Sequence, residues 1–490
     1  MFEELGGRQG HAGTSEQVAD WSVEQRVPQA VASARAHLLS LQRPDGHWVG
    51  ELEGDTILES DYAILLAFLG RLDSPKLPLL AEHLERKQLP EGGWSCFPGG
   101  PADISGSVKA YLALKMAGLP VDDPAMVRAR DAILALGGVT KCNTFTKIYL
   151  ALLGQYSWDG CPAVPPEIIL APKGCYFNVY EISSWSRTIV IPLSIIWAHR
   201  PVHPLPEGMG IDELFVGGRE NAKLRLPWGA PAVSWRNFFL VVDRVLKGIE
   251  KHGLNPLRRD ALKKAEAWML ERFQRSDGLG AIFPPMVNCV VAMKCLEYAD
   301  DHPQVLWAMD ELEKLEILED GALRLQPCFS PVWDTAVATI ALNEAGLTYE
   351  DEPLKLGLDW LLSKEVTGPG DWQMKAPGAK PAGWFFEYAN EFYPDVDDTA
   401  MVVMALRRGL AEGSPGWEAA SRGIEWVMSM RCKDGGWASF DKDNDRMVFT
   451  HVPFADHNAM LDPSTADITA RVLEMLGHFG SRAEEPEIQS

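Results

Sequence analysis

Residues Leu80 to Trp94 read LAEHLERKQLPEGGW: an amphipathic helix, then Gln88, a turn built on Pro90, Gly92 and Gly93, and a tryptophan. Leu80 and Leu84 recur at a helical period, and the proline and glycines stop the helix. The same text returns at Ala32–Trp48 (ASARAHLLSLQRPDGHW), at Leu356–Trp372 (LGLDWLLSKEVTGPGDW) and at Arg422–Trp437 (RGIEWVMSMRCKDGGW). A degenerate copy, KKAEAWMLERFQRSDGLG, ends at Gly280 where the tryptophan should stand. Such self-similarity marks an array of helix pairs, each too small to bury its apolar stripe alone. In each good copy the Gln, or the Glu365 or Arg431 that replaces it, is expected to reach backbone at the next helix start while the Trp stacks over it. These tryptophans are therefore structural. Almost nothing reads as strand, and long helices joined by Gly/Pro turns predict an all-α fold of α-α barrels.

A chain of 490 residues should hold more than one core, since single cores stop growing near roughly 250 to 300 residues. Acids outnumber bases 68 to 46, a net charge of −22, which argues against nucleic acid and against electrostatic adhesion to anionic lipid. Apolar attachment to a membrane stays open. Eight cysteines lie without CxxC pairs or His partners at metal-ligand spacing, and read as reduced thiols of a cytoplasmic protein. The first residues, MFEELGGRQGHAGTSEQ, carry no basic-then-apolar signal and read as a disordered leader. The best apolar run, Thr188 to Trp197, is short and contains Pro192, so no spanning helix is expected.

Chemistry concentrates between Trp372 and Leu406. Asp395, Asp397 and Asp398 fall within four residues, after Trp384, Phe385, Phe386, Tyr388, Phe392 and Tyr393, and before the apolar run Ala400 to Leu406. Proline followed by Asp and Thr reads as a helix start, placing the acids in its first turn. Three carboxylates so close cannot all ionise cheaply, so one should keep its proton. Aimed at an apolar pocket, such an acid suits protonation of an alkene. The same acids equally suit an N-cap cluster or a divalent-metal site that binds a diphosphate; the aromatic approach favours the acid.

The segment GDWQMKAPGAKPAGWFFEYANEFYPDVDDTA, with SPVWDTA at Ser330–Ala336, resembles squalene-hopene cyclases, class II terpene cyclases of triterpenoid and hopanoid biosynthesis. The Gln-to-Trp repeats resemble that family's QW motif. The similarity runs from about Ala32 to the end. It implies two α-α barrels, with residues 45–325 forming an inserted first barrel. Residues 1–44 (leader and N-terminal helix) and 326–490 would make the second. Residues 201–246 would be a membrane-facing segment, although as bare sequence they also suit a buried connector. The substrate implied is squalene, with no cofactor and no metal. The place implied is the cytoplasmic face of the inner membrane, held monotopically by membrane lipid. A homodimer is left open.

The resemblance also assigns residues. Asp397 would be the proton donor, with Asp395 and Asp398 as electrostatic partners and Tyr393, Asp467 and Arg471 around them. Arg471 stands where some members carry a His paired with the catalytic acid. There it would keep the outer carboxylates ionised and leave a proton on the middle one. Trp185, Trp333, Phe386 and Phe440 would line the cavity, where aromatic faces stabilise a carbocation by roughly 0.5 to 2 kcal/mol each without offering a basic atom. Phe440 replaces a Tyr found in some members. Asp61 would polarise water or take the final proton, among Lys109, Asn143, Phe283 and Asn288, which differ from the usual pattern.

Family members continue past the point where this sequence ends. The expectation is therefore a second barrel about half present, with apolar stripes at residues 401–406 and 472–476 left bare. The alternatives are a diterpene cyclase acting on geranylgeranyl diphosphate, for which the sequence offers no convincing basic cluster, and a non-catalytic fragment. A protein prenyltransferase subunit would need a zinc site of Asp, Cys and His, and no such trio is evident.

Overall fold

A computed structural model describes residues 23–455 and 459–481; the expected leader and the residues from 482 onward lie outside them. The regular structure of the described chain is almost all helical. Helix α1 (Val23–Ser40) is followed by α2 (Ile57–Phe68), α3 (Lys76–Lys87), α4 (Ile104–Met116), α5 (Pro124–Ala135), α6 (Thr144–Leu152), α7 (Ser184–His199) and α8 (Trp235–Lys251). Then come α9 (Arg258–Glu271), α10 (Phe283–Cys295), α11 (Pro303–Lys314), α12 (Pro331–Glu344), α13 (Glu352–Ser363), α14 (Val396–Gly409), α15 (Pro415–Ser429) and α16 (Ala466–His478). Two antiparallel ribbons are the strands described: β1 (Trp94–Ser95) on β2 (Ala102–Asp103), and β3 (Glu316–Glu319) on β4 (Ala322–Leu325).

Burial sorts the helices into layers. Every residue of α2 from Leu58 to Phe68 is buried, and so is every residue of α4 from Ser105 to Met116. Helices covered all round belong in the middle of a structure. Helices α7 and α10 join them, packed in the order α7, α10, α2, α4. By contrast α3 buries only Leu77, Leu80, Ala81 and Leu84, and α5 only Ala125, Met126, Ala129 and Ile133. That spacing is a single stripe, so α3, α5, α9 and α11 back the inner row from outside. The second core repeats the scheme, with α14 lying against α12, α13, α15 and α16. The all-α expectation is met, and what the contacts show of the expected barrels is this pair of double rows.

The stretches expected to be bare are covered. Met401 to Leu406 are all buried, as are Val472, Met475 and Leu476, while Leu473 is exposed. Neighbours within the chain already supply the cover that the expectation denied them: α12, α15 and α16 around the first stretch, and α14 over the second.

The repeats work as clamps, with one correction. Trp48, Trp94 and Trp437 each donate from Nε1 to the carbonyl ten residues back, on Leu38, Leu84 and Val427. Their backbone N–H groups donate to a hydroxyl of another helix, on Thr335, Ser107 and Thr469. Gln42 and Gln88 reach the starts of α13 and α5 through the carbonyls of Pro353 and Ala125. In the Leu356–Trp372 copy the clamp is Trp384, not Trp372: Trp384 donates to Leu361 O and Thr399 Oγ1, whereas Trp372 Nε1 has no partner among the described residues. A longer loop here carries the seat past the first tryptophan. Glu365 cannot donate, and instead takes a two-pronged hydrogen bond from Arg422 on α15. Gly46 needs its positive φ of 102°, and a Cβ there would meet the Leu356 backbone at 2.6 Å.

The eight cysteines are all free, four of them buried and one, Cys96, exposed. Among the described residues no helix is long and apolar enough to cross a membrane.

Candidate active site

The acidic turn starts α14. Asp395 is its N-cap, and Oδ1 accepts from the N–H groups of Asp397 (2.6 Å) and Asp398 (3.0 Å). Its own N–H donates to Trp384 O (2.8 Å), and Val396 N–H donates to Ser439 O (2.8 Å). The turn is thereby stitched to the aromatic segment before it and to the loop carrying Phe440. Val332 N–H donates to Phe386 O, which brings in the start of α12 with Trp333.

The three acids have different surroundings. Asp395 and Asp398 are buried, at 7% and 3% exposure. Burial pushes Asp395 up to about 7, against the N–H groups it accepts and with the charge of Asp397 adding to the rise. Burial lifts Asp398 well above the ordinary carboxylate range, helped by Asp395 and Glu387, and its Oδ1 has no hydrogen-bond partner among the described residues. Asp397 alone keeps exposed surface, 28% of its side chain, with Arg471 Nε 2.6 Å from Oδ1. The contact is a close ion pair rather than an aligned hydrogen bond, since neither atom completes one. Burial raises Asp397 and Arg471 opposes that rise.

Arg471 therefore sits on the middle acid, which corrects the expectation that it would hold the outer two ionised. Its guanidinium also lies 5.2 Å from the Trp333 ring centre, and Nη1 is 3.1 Å from Met401 Sδ. Asp467 is exposed and forms no ion pair among the described residues; its Thr465 hydrogen bond holds it below the ordinary range. Its charge still reaches Asp397.

Trp185 and Phe440 meet edge to face, with ring centres 5.9 Å apart. Trp185 Nε1 donates to Ala459 O. Asp462 accepts from the N–H groups of Ser439, Phe440 and Asp441, fixing the Phe440 loop. The structure thus links Asp395, Asp397, Asp398, Arg471 and Trp333 through direct contacts, and brings Phe386, Phe440 and Trp185 beside them through backbone hydrogen bonds at Val332 and Val396 and the Trp185–Phe440 ring pair.

Tyr393 faces elsewhere. Its hydroxyl donates to Asp371 Oδ2 (2.9 Å) and accepts from Arg272 Nε (3.0 Å), so it belongs to a buried ionic network and not to the acid's surroundings. Arg187 joins Asp371 and Asp441 at 3.2 and 2.8 Å, and Arg272 also pairs with Asp371. Burial would raise Asp371, but Arg272 and Arg187 outweigh it and hold it below the ordinary range. This network ties α7 and α9 to the segments bearing Tyr393 and Phe440. Sequence reading missed it because its members lie up to 254 residues apart.

Glu387 was missed too. It is buried beside Asn390 Nδ2 (3.1 Å), and burial pushes it up to about 8. Asp61 lies in the first core as a buried ion pair with Lys109 at 2.9 Å. Nearby, Lys109 lies over the Tyr149 ring, and Tyr149 OH donates to Asn288 Oδ1.

Two family models match the sequence: the squalene-hopene cyclase N-terminal domain over residues 31–321 and the C-terminal domain over residues 329–490. A squalene-hopene cyclase of Bradyrhizobium diazoefficiens is 41% identical over 459 residues, covering 93% of this chain and 70% of that protein. The squalene-hopene cyclase of Alicyclobacillus acidocaldarius is 37% identical, covering 91% and 70%. A dammaradiene synthase of Dryopteris crassirhizoma is 39% identical, covering 92% and 66%.

Proposed function

The chain belongs to the squalene-hopene cyclase family, and from that premise we propose that Asp397 delivers the proton that starts cyclisation of squalene to hopene. The reaction is an isomerisation: a proton enters at one double bond and another leaves the last cation. The observation that carries the assignment is the contrast among the three acids. Asp395 and Asp398 are sealed and hold their protons tightly, whereas Asp397 presents its carboxyl beside Arg471 and Trp333. A cation against the departing carboxylate makes a stronger acid, which protonating an alkene demands. Asp395 positions the turn, and Asp398 carries too high a proton affinity to release one readily.

Trp333, Phe386, Trp185 and Phe440 then offer ring faces to the travelling positive charge. Asp61 marks the end of the path in this reading, with Lys109 holding its charge in check. The two barrels are taken as residues 45–325 and as 1–44 with 326–490; two hydrophobic cores support the division, crossed by Trp48, which packs in the second, and by Val448, Phe449, Met460 and Leu461, which pack in the first. Attachment to the membrane is monotopic, on the cytoplasmic face of the inner membrane. Helix α8 supports this by exposing Trp235, Phe238, Val241 and Val245 next to exposed Trp228 and Val233.

The test is Asp397→Asn incubated with squalene, with hopene read by gas chromatography. Hopene formation should fall by at least a thousandfold while the circular dichroism spectrum and melting point hold. Wild-type turnover by this variant would remove Asp397 from the role.

A further inference from the structure

Beside α8 lies a cavity of about 1210 Å³, bounded by residues 140–147, 222–228 and 450–455. It exceeds the roughly 300 to 1,000 Å³ of pockets that enclose a drug-sized molecule. Among the described residues six cationic side chains line it, Lys141, Lys147, Lys223, Arg225, Arg236 and Arg244, against a single carboxylate, Asp159. In a chain of net charge −22 this is a local reversal of sign. Carboxylates are present next door, but Asp212 and Asp243 are already taken by Arg219 and Lys247. Among the described residues Lys141, Lys223, Arg225, Arg236 and Arg244 enter no ion pair. These five cations repel one another and gain from an anion seated among them.

The cavity is also continuous with the apolar face. Trp228 lines it and is 51% exposed, and the Arg244 guanidinium lies 4.7 Å from the centre of the Trp228 ring. Leu224, Leu226 and Leu240 complete its apolar wall. Trp228 and Trp235 suit the depth of a membrane interface, where aromatic rings sit level with headgroups. An anion held between these cations, with its apolar part against those leucines, is amphiphilic.

We infer that this cavity seats the phosphate group of an anionic membrane lipid, anchoring the apolar face of α8 to bilayers that carry such lipid. The inference rests on the membrane reading of that face. It also revises the expectation from net charge: the total is acidic, but the surface that meets the bilayer is not.

The test is sedimentation of the full chain with vesicles of phosphatidylcholine alone and with a third of the lipid replaced by phosphatidylglycerol. Each cation at an anionic surface is worth roughly fivefold in partitioning. Wild type should therefore prefer the anionic vesicles, and the triple variant Lys223→Gln, Arg225→Gln, Arg236→Gln should lose about a hundredfold on them while binding neutral vesicles unchanged. All three side chains are exposed, and an unchanged melting point checks the fold. The paired variant Trp235→Ser, Phe238→Ser should weaken binding to both vesicle types alike. Equal wild-type binding to both would overturn the headgroup inference and leave the membrane reading standing, whereas binding to neither would overturn the membrane reading itself. Loss of the anionic preference on adding millimolar pyrophosphate, with pyrophosphate binding alone in calorimetry, would show a site for soluble phosphates instead.

Discussion

Replacing Arg471 by Gln removes the positive charge next to the proposed proton donor while keeping a long polar side chain. At about 4 Å between charge centres and an effective dielectric near 20, the attraction is about 4 kcal/mol. Both side chains are about 30% exposed, 31% and 28%, so screening by water brings it to about 1.5 to 3 kcal/mol. That corresponds to a rise of roughly one to two pKa units on Asp397. The sign has two consequences. A carboxyl that holds its proton more tightly is a poorer donor, so kcat should fall roughly ten- to a hundredfold with little change in KM. Only the protonated form starts the reaction, so activity is lost as pH rises through the Asp397 pKa, and in Arg471→Gln that alkaline limb should move upward by the same one to two units. A purely structural role for Arg471 would lower the rate without moving the limb. Arg471→Lys keeps the charge and should keep the limb near its wild-type place. The assay is hopene formation from detergent-dispersed squalene across pH. An unmoved limb in the Gln variant, or a limb displaced equally in Gln and Lys, would refute the electrostatic argument.

The clamp assignment predicts unequal costs for two neighbouring tryptophans: Trp384→Phe loses the hydrogen bond to Leu361 O and should cost about 2 to 3 kcal/mol in urea unfolding. Trp372→Phe gives up no hydrogen bond and should cost about 1 kcal/mol less. Lys109→Met strands Asp61 as an unpaired buried carboxylate and should destabilise by about 3 to 5 kcal/mol, with Asp61→Leu added to it recovering most of the loss; a double variant no more stable than the single would contradict this. Glu387, pushed up to about 8 by burial, keeps in the fold a proton that the unfolded chain releases near 4.5. Its contribution is present below that pH and drains away as pH rises toward 8, at up to ~1.4 kcal/mol per unit. Glu387→Gln should flatten the stability–pH profile between about 5 and 8, and an unchanged slope would mean that other groups set it.

The repeat was legible because it is local: glutamine, glycine and tryptophan within seven residues specify a helix end, a positive-φ turn and a ring for the neighbouring helix. Where a longer loop intervened, the one-dimensional spacing pointed to Trp372, and only packing showed that Trp384 fills the seat. The acidic turn was legible for the same reason, since Pro394, Asp395 and Thr399 define a helix start whatever surrounds it. The sequence by itself therefore determined the helical class, the clamp chemistry and the crowding of Asp395, Asp397 and Asp398. The tertiary structure decided the rest, because charge acts through space and not along the chain. It put Arg471 on the middle acid, turned Tyr393 toward Asp371 and Arg272, paired Asp61 with Lys109, and gathered cations spread from Lys141 to Arg244 around one cavity in a chain whose total charge is strongly negative.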